Sequence, residues 1–68
     1  MTKKISNNIR RLRFDNEEMT QQMLADAVGV SRQTIVAIEK DKYSPSLEVA
    51  FKISVYFNVP LDAVFQYL

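Results

Sequence analysis

The sequence predicts an all-α fold built from five short helices. Three observations carry that prediction. Apolar residues recur at helical spacing along most of the chain, no stretch alternates for long in the manner of a strand, and turn-forming residues separate the helical segments at short intervals. At 68 residues the chain is the size of one small domain with a marginal core, for which association with a partner is a plausible support. The expected organisation is a single domain over residues 1–68, with the helices taking up the whole length and leaving no room for a separate sensor domain.

Ile5, Ile9 and Leu12 are spaced i, i+4, i+7 and mark one face of a first helix. The polar run DNEE interrupts it. Thr20 is placed to cap a second helix, QQMLADAV, whose core face is Leu24, Ala25 and Val28. Gly29, the one glycine in the chain, follows the last apolar residue, where a left-handed helix end is expected. Ser31 caps a third helix two residues later, and Ile35 and Ile38 hold that helix to the body. The segment KDKYSPS reads as a loop, with Pro45 and Ser46 starting a fourth helix. Its expected core face is Leu47, Ala50, Phe51, Ser54 and Phe57, with Val49, Lys52 and Tyr56 outward and Ile53 on the flank. Asn58 suits a left-handed exit, and Pro60 opens a short last helix containing Leu61, Val64 and Phe65.

Composition removes several functions. There is no cysteine and no histidine, so disulfides, thiolate chemistry, the usual zinc ligands and the commonest general base are all missing. A single glycine excludes phosphate-cradling loops. Asp15, Glu17 and Glu18 lie in a polar loop without an apolar pocket and read as a solvated surface rather than catalytic carboxylates. No enzyme activity, cofactor, metal ion or small-molecule ligand is expected. The N-terminus has lysines but no apolar core of a signal peptide, and no apolar run reaches the ~20 residues of a membrane span, so a cytoplasmic protein without a membrane partner is expected. Lys3 and Lys4 read as a frayed terminus rather than an arm that touches DNA.

The net charge of +1 says little by itself, but Lys3, Lys4, Arg10, Arg11 and Arg13 precede any acidic residue, and Arg32, Lys40 and Lys42 form a second basic group. A near-neutral sum can therefore hold a basic face. Helices two and three, joined by a very short turn centred on glycine over about residues 20–40, have the helix-turn-helix arrangement, whose second helix enters the DNA major groove. On a helical wheel with Ile35 in the core, Gln33, Val36, Ala37 and Lys40 fall on the far side, Arg32 at the N-terminal edge and Thr34 on the opposite flank. Val36 and Ala37 are small and apolar where a solvated helix usually carries long charged residues. They let the backbone approach another surface, and their methyl groups can touch thymine methyls. Gln33 can pair with adenine and Arg32 with guanine.

The segment QQMLADAVGVSRQTIVAIEKDKYSPSLEVAFKISVYFNVPLDAVF, extended back through IRRLR, resembles the Cro/cI-type helix-turn-helix family, also called XRE or lambda-repressor-like. Among its members the chain is most similar to the short stand-alone regulators. The resemblance implies five helices and a homodimer on double-stranded DNA, acting as a transcriptional regulator and usually as a repressor at a palindromic operator. It also implies roles by position. Gln21 contacts phosphate and braces the recognition helix. Arg32, Gln33 and Ala37 read bases. Thr34, Lys40, Lys42 and Tyr43 lie at or near the DNA backbone; apart from the resemblance, the residues themselves add Val36, from its place on the wheel, and Ser31, at the helix start, to the expected DNA-binding set. Arg13 and Glu39 form a partly buried ion pair. Two departures stand out: the loop RFDNEEMTQ is one residue longer than usual between arginine and glutamine, and Asp41 occupies a position where the family often has glycine.

Exposed apolar residues on the fourth helix and the ending VFQYL suggest a surface that pairs. The expected homodimer interface comprises Val49, Tyr56, Phe65, Tyr67 and Leu68. A different class of function is compatible with the same fold: an antitoxin or anti-repressor type of protein-interaction module, in which Val36 and Ala37 would fit a protein groove.

Overall fold

A computed structural model of the chain describes residues 4–67. Five helices form in the order expected: α1 (Ile9–Asp15), α2 (Gln21–Val28), α3 (Arg32–Glu39), α4 (Leu47–Phe57) and α5 (Leu61–Val64). Two three-residue strands, β1 (Ile5–Asn7) and β2 (Phe65–Tyr67), are added to the five expected helices. The strands pair antiparallel, Ile5 with Tyr67, Ser6 with Gln66 and Asn7 with Phe65. Ile5 and Phe65 thus belong to a ribbon and not to the first and last helices. Helix α5 is a single turn, and Phe65 leaves it with an extended backbone (φ −120°, ψ 142°). The ladder continues where Asn8 N–H donates to the Val64 carbonyl at 2.9 Å.

The helix ends follow their side chains. Thr20, Ser31 and Ser46 each adopt extended backbone angles, and their hydroxyls accept the N–H groups of Met23, Thr34 and Val49. Each cap satisfies one of the donors that a helix start leaves free. Gly29 and Asn58 end α2 and α4 in the left-handed region, at φ 77° and 56°. Helix α1 is capped differently: the Asn7 side-chain oxygen accepts the Ile9 N–H at 3.1 Å. Between α1 and α2 the chain turns through two consecutive left-handed residues, Glu17 and Glu18 (φ 58° and 55°). Met19 N–H then returns to the Arg13 carbonyl at 3.0 Å, and the Met19 side chain enters the core. This turn accommodates the long loop while tying the chain back to the end of α1.

The core draws on every helix: Ile9, Met19, Leu24, Ala25, Val28, Ile35, Ile38, Ile53 and Val64 pack together. Ala25, fully buried, is on α2 in the interface with α3. The expected face of α4 is corrected. Ile53 is fully buried and Val49 packs half-buried against the core, whereas Leu47 and Phe51 are exposed. Ala50, Ser54 and Phe57 do face inward. No helix among the described residues is long and apolar enough to cross a membrane.

Candidate nucleic-acid interface

The joint between α2 and α3 is held by backbone bonds. Gly29 N–H and Val30 N–H both donate to the Ala25 carbonyl, at 2.9 and 3.0 Å. A methyl group added at Gly29 would meet nothing within 4 Å, so the glycine is required by its positive φ and not by crowding. Ser31 then starts α3, its Oγ accepting from Thr34 N–H at 3.2 Å and sharing a hydrogen bond with Thr34 Oγ1 at 2.9 Å. Both hydroxyls are thereby oriented at the leading edge of the helix.

Ile35 and Ile38 are buried and fix the rotation of α3 about its axis. Arg32, Gln33 and Lys40 are exposed on the outside, with Val36 and Ala37 half-buried between them. At the far end Asp41 takes the left-handed conformation at φ 59°. Its N–H returns to the Ile38 carbonyl, and Lys42 N–H returns to the Ala37 carbonyl, each at 3.0 Å. That pair of bonds is a Schellman closure with aspartate where glycine is the usual choice. Lys42 and Tyr43 follow it and are exposed.

Glu39 lies at the centre of the bracing. Arg13 Nε and Nη2 donate to its two carboxylate oxygens at 2.7 and 2.9 Å. Arg13 Nη1 donates to the Met19 carbonyl at 2.9 Å, and Gln21 Nε2 reaches Glu39 Oε1 at 3.3 Å. Side-chain exposure of only 14% for Arg13 and 8% for Glu39 keeps water from competing. The two residues, 26 apart in sequence, lock α1 to α3, while Gln21 ties the start of α2 to the same carboxylate.

An open groove runs across these elements, lined by Arg10, Gln21, Arg32, Val36 and Lys40 among others. Arg13 and Glu39 neutralise each other, so the remaining charge of the groove comes from Arg10, Arg32 and Lys40 against Glu18. Arg10 was not among the site residues expected from sequence. Its position one helical turn before Arg13 is the signal that could have found it. Asn7 is a second addition. Its Nδ2 donates to the Ile38 carbonyl at 2.8 Å and to Asp41 Oδ1 at 3.1 Å, joining the ribbon to the end of α3.

The residues expected to pair two copies differ in their exposure. Val49 is turned to the core, so it does not face outward as expected. Tyr56 is exposed and stands edge-to-face with Phe57 at 5.4 Å. Phe65 packs half-buried on the core, and Tyr67 is exposed at the ribbon. Leu68 and Lys3 lie outside the described residues.

A family model described as helix-turn-helix matches residues 9–64. An uncharacterized HTH-type transcriptional regulator of Methanocaldococcus jannaschii is 57% identical over 49 residues, covering 72% of this chain and 74% of that protein. The cryptic phage CTXphi transcriptional repressor RstR of Vibrio cholerae is 36% identical over 56 residues, covering 82% of this chain and half of the repressor. Among solved structures, the transcriptional regulator VanUg superposes with a TM-score of 0.80 at 29% identity, over all of this chain and 89% of that one.

Proposed function

The chain belongs to the helix-turn-helix family, of the XRE or Cro/cI type, and from that membership we propose that it is a sequence-specific DNA-binding transcriptional regulator, acting as a repressor. The observation that carries the reading is the outward face of α3. Exposed Arg32 and Gln33 stand beside the small Val36 and Ala37, on a helix whose rotation and tilt are fixed by Ile35, Ile38 and the Arg13–Glu39 pair. Such a helix can enter the major groove without a bulky side chain holding it off. Arg32 and Gln33 then reach base edges, each good bidentate pair contributing about 1–3 kcal/mol of discrimination.

Gln21, Thr34, Lys40, Lys42 and Tyr43 flank those readers and set register on the phosphate backbone, with Ser31 orienting Thr34. Arg10 extends that set across the groove. The function involves occupancy of an operator and no bond chemistry. Two copies on a palindromic operator would place their recognition helices one DNA turn, about 34 Å, apart. Repression follows when that occupancy excludes other proteins from the same DNA; the relative RstR is, by its name, a transcriptional repressor. A DNA partner implies a cytoplasmic site of action. Control would come through concentration, a partner or competition for the site.

Selection of bound sequences from random DNA tests the proposal. A two-fold consensus is expected, with Arg32→Ala and Gln33→Ala each relaxing it at defined positions by roughly 10-fold or more. Unchanged sequence preference in both variants would show that other residues read the bases. If no sequence were enriched, the fold would be serving a protein partner instead.

A further inference from the structure

One apolar surface is not used by the DNA-facing machinery. Leu47, Phe51 and Val55 are exposed by 74%, 52% and 75%, and they follow one another at i, i+4, i+8 along α4. That spacing makes a continuous stripe on the side of the helix turned from the core. Beside it lies an open groove whose charged residues are Asp26, Glu48 and Lys52. The local charge is therefore net acidic, which does not suit a phosphate backbone. At its other end, Leu47 also lines an apolar cleft beneath the ribbon with Ile5, Leu61, Phe65 and Tyr67.

We propose that this stripe is the face on which a second copy of the chain docks, α4 against α4 in antiparallel sense, with the two-fold axis at Phe51. The inference rests on the dimeric reading given above and supplies its interface. Two features of the stripe select a copy of itself. The first is shape: an aromatic residue at the centre with one aliphatic residue a turn to either side is self-complementary under a two-fold rotation. Phe51 meets its counterpart, and Leu47 meets Val55.

The second feature is charge. Glu48 and Lys52 form an exposed i,i+4 pair at 3.3 Å, and at about 100° per residue both fall on the same flank of the stripe. Rotation about Phe51 keeps that flank on the same side in both copies. With a rise of ~1.5 Å per residue, Lys52 of one copy lies within about 3 Å along the axis of both Glu48 and Lys52 in the other, and Glu48, about 60° round from Phe51 against about 100° for Lys52, is the nearer across the interface. Two cross-chain pairs therefore form around an apolar centre, the usual arrangement of polar rim and buried anchor. A parallel pairing would place each glutamate beside its own counterpart.

Sedimentation of the full chain and of three variants tests the interface. The unaltered chain should be dimeric at tens of micromolar. Phe51→Glu, at an exposed position, should keep the helical signal and weaken dimerisation roughly 30-fold or more, the scale of a central anchor. Glu48→Lys alone and Lys52→Glu alone should each self-associate poorly, because like charges then face each other. An equimolar mixture of those two variants should recover the dimer. That recovery is beyond the reach of any effect within one helix. A Phe51→Glu chain that stays dimeric, or a mixture no more associated than its components, would overturn the interface. If such a chain still bound a two-fold operator, the dimeric reading would stand with its contact elsewhere. A monomeric unaltered chain, or a dimer lost on Tyr67→Glu and indifferent to Phe51→Glu, would also overturn it.

Discussion

Glu39 is the residue on which three helices converge. It ends α3, receives two bonds from Arg13 of α1 and one from Gln21 of α2, and is almost fully enclosed. A pair so placed need not stabilise the fold more than apolar residues of the same volume would. Removal of one partner is a different matter, because it leaves the other charge buried without compensation. Glu39→Ala is therefore expected to destabilise by about 3 kcal/mol. In a domain of this size that lowers the melting temperature by very roughly 10–20 °C, measurable by circular dichroism. A melting temperature equal to that of the unaltered chain would show that Arg13 finds water or its bond to the Met19 carbonyl sufficient. Read from sequence, the pair came only with the family resemblance, since nothing in residues 26 apart announces their contact.

At the scale of elements, the caps were legible and the packing phase was not. Thr20, Ser31, Ser46, Gly29 and Asn58 act through bonds to neighbours in sequence, so their roles can be read locally. In contrast, LEVAFKISVYF carries apolar residues around most of its circumference, and only Glu48 and Lys52 mark an outer side. Several rotations then bury similar apolar area, and contacts with α2 and α5 decide between them. The ribbon escaped the sequence reading for a related reason: three residues, ISN or FQY, are too few to display a period of two. The outer face of α3 was more legible, because Ile35 and Ile38 are the clear apolar anchors of that helix and the exposed side follows from them. Asn7, which makes the ribbon matter to α3, depends on both misread elements. Asn7→Ala should cost about 1–2 kcal/mol in urea unfolding, by leaving the end of α3 and the start of α1 short of partners. It should also speed amide exchange at Asp41 and Lys42 ahead of the rest of α3. Equal exchange throughout α3 would mean that the ribbon does not hold that end.

For the whole molecule, a net charge of +1 understates affinity for a polyanion, because Arg10, Arg32 and Lys40 line one groove while Asp26, Glu48 and Asp62 lie off it. Lys40 and Lys42 from each of two copies would neutralise four phosphates, so the logarithm of affinity should fall with the logarithm of salt at a slope of at least about −3.6. Lys42→Ala, by removing one contact per copy, should flatten the slope by roughly 1.8 and weaken all sequences alike. Binding indifferent to salt would contradict a phosphate-dominated contact. A different consequence follows from the pairing of Ile5 with Tyr67. The chain enters and leaves its fold at one seam, so the path of the backbone is nearly a closed circuit. A short linker across that seam would let the circuit be cut elsewhere, at the exposed loop around Lys42 and Ser44 for instance. Every helix would keep its neighbours while the order of elements along the chain was rotated.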